Sequence, residues 1–131
     1  MTGMATPQLN HTIVQARDAK ESATFLTEML GLPAPKQWHH FSIVELTNEV
    51  SLDYVSTGGR VPSMHYCFLV SEEQFDEIFG RIQQRGLPYW ADPFHRQSGE
   101  INHNDGGRGV YWDDPNGHNL EIITRPYGSG Q

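Results

Sequence analysis

One carboxylate stands where burial would make it expensive. Glu121 lies in Asn119-Leu-Glu-Ile-Ile123, a short run whose other members, Leu120, Ile122 and Ile123, call for an apolar setting. A carboxylate taken into such a strand needs hydrogen bonds or a cation to receive it. Imidazole is the natural companion for a divalent cation, and this acidic chain carries seven histidines. Two of them, His11 and His65, sit at the start of alternating segments that read as strands. Chemistry of this kind requires that those strands and the one carrying Glu121 come from a common architecture.

The elements follow from the pattern. Leu9–Val14 alternates, with Leu9, His11 and Ile13 on one face. Asp18 then caps a helix with Glu21 three residues on, Phe25, Leu26, Met29 and Leu30 form its apolar stripe, and Gly31 with Pro33 ends it. Strands are expected near His40–Leu46 and Val50–Ser56, before the Gly58-Gly59 turn. The order then repeats. Met64–Val70 is a strand with His65, Cys67 and Leu69 on one face. Ser71 and Gln74 open a second helix in a capping-box pattern, Phe75, Ile78, Phe79 and Ile82 make its stripe, and Gly86 with Pro88 stops it. Leu87–Ala91 reads as a strand, and Asp114-Pro115-Asn116-Gly117 is turn chemistry joining the last two.

The halves keep register. His11 to His65 spans 54 residues, Asp18 to Ser71 53 and Gly31 to Gly86 55, whereas Asp53 to Glu121 spans 68. The second half therefore carries an insertion of about 14 residues, assigned to the polar stretch 93–107. The expected fold is α+β: two tandem βαβββ units, about residues 9–58 and 62–125, forming a cup-shaped mixed sheet with helices outside, all within one domain, 1–131.

The duplicated unit, a histidine in each first strand and Asp-Pro-Asn-Gly-His-Asn-Leu-Glu in the last resemble the vicinal oxygen chelate superfamily. That group contains glyoxalase I, extradiol dioxygenases, fosfomycin-resistance enzymes and bleomycin-binding proteins. The resemblance implies that His11, His65 and Glu121 hold a divalent metal, Fe, Mn, Co, Ni or Zn. Two imidazoles and a carboxylate leave positions open for substrate and for water or oxygen. Any one of these histidines taken singly would be an ordinary strand residue; the three in register carry the inference. Asp53 falls where glyoxalase I has a glutamate ligand, and its shorter side chain leaves a base, a group holding a ligand imidazole, or a solvent-facing carboxylate as readings. Tyr111 stands at the extradiol dioxygenase spacing from Glu121, where a hydroxyl orients a substrate phenolate, and His103 lies upstream where a histidine moves a proton. The competing readings are an aromatic strand residue and a solvated loop residue.

The implied function is a metal-dependent enzyme chelating a substrate through vicinal oxygens, nearest to extradiol dioxygenase chemistry. The alternatives are a glyoxalase I-like lyase and a metal-free protein that sequesters an aromatic antibiotic. Trp38, Phe41, Tyr89, Trp90 and Trp112 are candidates to line an apolar ligand cup, and Arg96 and Arg108 to meet an anionic group. A net charge of −7 argues against nucleic acid, and no apolar run reaches membrane-spanning length. Cys67, the single cysteine, excludes an internal disulfide and fits a cytoplasmic setting. The resemblance implies a homodimer, in some members with the first histidine supplied by the partner. Residues 1–8 and the tail Tyr127–Gln131 are expected to be loose.

Overall fold

The computed structural model describes residues 6–130, so most of the 1–8 lead-in and the terminal Gln131 lie outside the described residues. The chain forms two compact units, one running to Val61 and the other from Pro62, the latter also taking in Met29–Gly31. Each has a sheet of its own.

In the first unit β1 (His11–Ala16), α1 (Ala19–Leu30), β2 (Lys36–Trp38), β3 (Phe41–Glu45) and β4 (Ser51–Ser56) follow in order. The sheet order is β1-β4-β3-β2, with β1 parallel to β4 and the other pairs antiparallel. Asp18 Oδ1 accepts the Glu21 N–H at 3.0 Å and so opens α1, and Gly31 takes φ +73° where the helix ends. One sheet face is core: Val14, Ala16, Val44, Leu52 and Tyr54 are buried, with Ser42 among them. The opposite face carries His11, Ile13, Ile43, Ser51 and Asp53, none of them buried.

The second unit runs β5 (His65–Leu69), α2 (Glu72–Gln84), β6 (Gly109–Asp113) and β7 (Asn119–Ile123). Its order, β5-β7-β6, repeats the first unit's, again with the parallel pair at the first strand. Both halves of the Ser71–Gln74 capping box form, and Phe75, Ile78 and Ile82 are the buried stripe of α2. Val110, Trp112, Leu120 and Ile122 make the buried face of this sheet.

Two expectations change here. The three-residue β2 supplies the third strand that the βαβββ unit requires after its helix but that had no assigned position, because two prolines precede it and three residues are too few to show an alternation. The strand expected over 87–91 contracts to one residue, Trp90, which exchanges both main-chain hydrogen bonds with Tyr111 at 3.0 and 2.8 Å. Pro88 has no N–H to donate and Tyr89 sets its ring against Phe79, centroids 5.0 Å apart, so neither residue continues the ladder. The loop 93–107 is secured by its own bonds. Asp92 Oδ1 accepts the N–H groups of Arg96 and Gln97 at 2.9 and 2.7 Å. Asn102 pairs with Gly109 through the main chain, and its side chain donates to Ala91 O at 2.8 Å.

Candidate metal centre

The turn from Asp114 to His118 delivers Glu121. Asp114 is buried, and its Oδ1 accepts the N–H groups of Asn116 and His118 at 2.8 and 2.9 Å. Gly117 takes φ +87°, the conformation for which the turn requires glycine. His118 is fully buried and accepts the Met64 N–H at Nδ1, 3.0 Å, while Asn119 N–H donates to Met64 O at 2.8 Å. The residue before His65 is thus fastened to the turn before Glu121. This histidine of the motif is structural.

From that turn the register places Cys67, Glu121 and Tyr111 side by side on β5, β7 and β6, on the face opposite Val110, Trp112, Leu120 and Ile122. His65, Asn119 and Asp113 form the next row. His65 reaches diagonally, so that its Nε2–H donates to Glu121 Oε1 at 2.9 Å. Glu121 is 1% exposed. Its second oxygen, Oε2, accepts the hydroxyl of Tyr127, and the Tyr111 hydroxyl lies 3.1 Å from that same hydroxyl. The His65 and Tyr111 rings are 5.7 Å apart between centroids.

Burial dominates the electrostatics of the cluster. It holds the Tyr111 phenol well above the ordinary range, reinforced by hydrogen bonds with Tyr127 and Glu121. Tyr127 is pushed up to about 12, first by burial and then by its bond to Glu121. Cys67, an exposed residue, is likewise pushed up to about 12, by partial desolvation of its thiol against the sheet and by the adjoining Glu121 charge. Both tyrosines are therefore protonated donors at neutral pH, and Cys67 is a thiol rather than a thiolate nucleophile.

The first unit repeats this register without the contact. His11 pairs with Ser51 and Ile13 with Asp53, as His65 pairs with Asn119 and Cys67 with Glu121, so Asp53 occupies the place of Glu121. Its Oδ1 accepts the Ser51 hydroxyl at 2.7 Å, and exposed His11 donates instead to Asn10 Oδ1 at 2.7 Å. His103 is exposed at the head of a short 3-10 turn (Asn104–Gly106) and its side chain makes no capping bond. Among the described residues no three His, Cys, Asp or Glu side chains gather as a metal-holding group. The donors that do meet are the His65–Glu121 pair. An imidazole nitrogen and a carboxylate oxygen facing each other, both on rigid strands, suit a borderline divalent cation, and the donor chemistry fits.

Three side chains turn out otherwise than the sequence suggested. Arg108 is committed to α2: it pairs with Glu72 at 2.8 Å and Asp76 at 2.9 Å and lies over Phe75. It is not free for an anionic substrate. Trp112 alternates onto the buried face with no exposure, away from Glu121. The tail, expected to be loose, brings Tyr127 onto the carboxylate. No periodicity announces Tyr127; its one signal is a lone aromatic in a segment of small residues. His95 also escaped notice: it stacks on Trp90 at 3.6 Å and lies 3.2 Å from Asn119 Oδ1.

Two βα-led units in one register, with an imidazole–carboxylate pair where the last strand meets the first, define the class. The chain belongs to the Glyoxalase/Bleomycin resistance protein/Dioxygenase superfamily, whose model matches residues 8–122. Members of this superfamily generally use a divalent metal ion. Among solved structures, the chain is similar to Oxidase ChaP-H2, with 63% identity and TM-score 0.94 over 96% of this chain and 99% of that one. Oxidase ChaP-H1 is similar at 60% identity and TM-score 0.92, over 94% and 99% of the two chains. Glutathione transferase FosA of Serratia marcescens is 30% identical over 120 residues, 87% of this chain and 78% of that protein. No helix among the described residues is long and apolar enough to cross a membrane.

Proposed function

We propose that this chain is a metal-dependent oxidative enzyme whose substrate is a small aromatic diol held through its two neighbouring oxygens, with dioxygen as oxidant. The observation that carries the reading is the buried Glu121 carboxylate facing His65 Nε2 at 2.9 Å, with the Tyr111 hydroxyl in the same cluster. The 60–63% identity to two proteins named oxidases supports oxidation over isomerisation. His65 and Glu121 are two of the proposed ligands and His11 the third. A bound divalent metal supplies Lewis acidity, lowering the pKa of a substrate hydroxyl.

The chain's own groups do the rest. Tyr111, protonated and backed by Glu121's row of the sheet, orients a substrate oxygen by hydrogen bonding. Asp53 is proposed as a proton acceptor, since the Ser51 hydroxyl leaves one of its two oxygens outside that bond. His103, exposed on its loop, is the proposed exit for the proton. The assembly proposed is a cytoplasmic homodimer.

The FosA relative favours a second reading, thiol transfer to an anionic substrate. Arg108, the cation such a substrate would call on, is held by Glu72 and Asp76, which argues against it. The test is oxygen uptake by protein reconstituted anaerobically with Fe(II), offered catechols and, separately, hemithioacetals. Uptake with a catechol, lost in His65→Ala and Glu121→Gln, is the expected result. Full turnover in His65→Ala would remove the metal mechanism, and tight binding of an aromatic compound by metal-free protein without turnover would establish sequestration.

A further inference from the structure

Glu121 presents a problem that the ligand pair does not solve. A carboxylate 1% exposed has two oxygens to satisfy, and His65 takes only Oε1. The other is met from outside the sheet altogether. Tyr127 lies four residues beyond the end of β7 and donates its hydroxyl to Oε2. Tyr111 then bonds to that hydroxyl at 3.1 Å, so the phenol of Tyr127 is held from both sides.

The tail has a frame that delivers this contact. Ser129 folds back on Pro126, its N–H and hydroxyl reaching Pro126 O at 3.1 and 2.6 Å. The Arg125 guanidinium donates to Ser129 O at 2.9 Å, and the Gly130 N–H donates to Asp105 Oδ1 at 3.2 Å. Asp105 belongs to the inserted loop. The tail is thereby fastened to its own turn and to that loop, on either side of Tyr127.

We propose that Tyr127 is a positioning residue of the metal centre, fixing the Glu121 carboxylate so that Oε1 is the oxygen offered beside His65 Nε2. The inference rests on the metal role proposed above for His65 and Glu121. A carboxylate anchored at one oxygen cannot swing freely between its two faces, and ligand groups held from behind in this way bind metal more tightly, typically by about 10–100-fold. Without Tyr127, Oε2 is left with the Tyr111 hydroxyl as its nearest replacement, and the carboxylate must be ordered by the metal itself.

The experiment titrates metal-stripped full-length protein with Co(II), following the visible absorption bands, in the native chain, in Tyr127→Phe and in a chain ending at Pro126. The expected result is a rise in the Co(II) dissociation constant of about 10–100-fold in both variants, with altered band shape. The phenylalanine keeps the ring in place, and its apo thermal midpoint, expected within a few degrees of the native one, separates positioning from a folding defect. Native affinity and spectrum in Tyr127→Phe would overturn the proposal while leaving the metal reading intact. Tighter binding would also overturn it, marking the tyrosine as a blocking group. Absence of Co(II) binding by the native chain would instead overturn the metal reading, and this proposal with it.

Discussion

The loop that sets the register of β6 against β7 hangs on one side chain, and its removal tests whether the turn builds the site. In Asp114→Ala, three acceptor contacts vanish together: those to the N–H groups of Asn116 and His118 and to the Asn116 amide at 3.0 Å. Hydrogen bonds to a charged acceptor contribute about 1.5–3 kcal/mol each when their donors have no replacement. The Asn116 amide can turn to water, and the Asn116 N–H is only partly buried. The His118 N–H is buried. A loss of about 3 kcal/mol follows, a large share of the 5–15 kcal/mol typical of a domain. For a chain of 131 residues, that corresponds to a fall in thermal midpoint of roughly 10 °C. Urea and thermal unfolding of the metal-free protein measure it directly. Asp114→Asn, keeping one carbonyl acceptor, is expected to lose about 1 kcal/mol. Because His118 ties this turn to Met64, the alanine variant is also expected to weaken the metal binding proposed for His65 and Glu121. A midpoint within about 2 °C of native for Asp114→Ala would refute the reasoning, since a turn that tolerates losing its carboxylate is not what fixes the register.

Other outcomes follow from the same structure. Arg108→Ala is expected to lower the thermal midpoint modestly, with the loss shrinking in high salt, and to leave substrate KM unchanged; a raised KM would return Arg108 to substrate recognition. Gly109→Ala places a methyl group about 2.8 Å from the Asn102 side chain and is expected to cost about 1–3 kcal/mol in urea unfolding. Asn102→Ala in the same chain should recover part of that. Cys67, pushed up to about 12, is expected to react with a disulfide reagent at pH 8 far more slowly than a peptide cysteine, and faster once Glu121→Gln removes the neighbouring charge. Reaction at the peptide rate would contradict the effect assigned to the Glu121 charge beside its thiol. Against the opposing pull of desolvation, the N–H groups of Gln97, Arg96 and Phe94 hold Asp92 below the usual carboxylate range. Its stabilising effect on the loop is therefore complete above the unfolded value near 4 and lost as pH falls through the lower folded value. Amide protons of Arg96 and Gln97 followed by NMR should move with that titration, and indifference to it would break the assignment.

Most of the framework was legible because burial alternates with period two in this chain. Leu120 and Ile122 against Glu121, and Tyr66 and Phe68 against His65 and Cys67, announce which face each side chain takes, whereas the grouping of His65, Glu121 and Tyr111 was implied by the resemblance to the superfamily and not by the alternation. The same logic failed for Trp112. Its aromaticity suggested a ligand wall, whereas its position next to Tyr111 already required the opposite face. The cationic role suggested for Arg108 failed for another reason: Glu72 and Asp76 lie one helical turn apart on α2, and only the folded position of residue 108, just before β6, brings the arginine to them. Trp90 marks the limit of strand reading, since whether a five-residue apolar segment pairs along its length is decided by the neighbours it finds. Tyr127 lies in a tail with no period at all, and its destination is fixed by contacts with Glu121, Tyr111 and the inserted loop that lie far away in sequence or beyond any regular element.

The contraction of the expected strand at Trp90 bears on how this scaffold changes over time. Beyond β6 the second sheet has no full ladder, only two isolated reciprocal pairings, Trp90 with Tyr111 and Asn102 with Gly109, and a loop that supplies its own closures through Asp92 and Asn102. Changing that loop therefore disturbs isolated main-chain pairings rather than a strand's worth, and leaves the rows bearing His65, Glu121 and Tyr111 in place. Here a lineage can acquire new surface contours by insertion while its buried carboxylate stays where it was, and residues 93 to 101, short of Asn102 and Asp105, are the region in which recombined loop sequences should be accepted without loss of the fold.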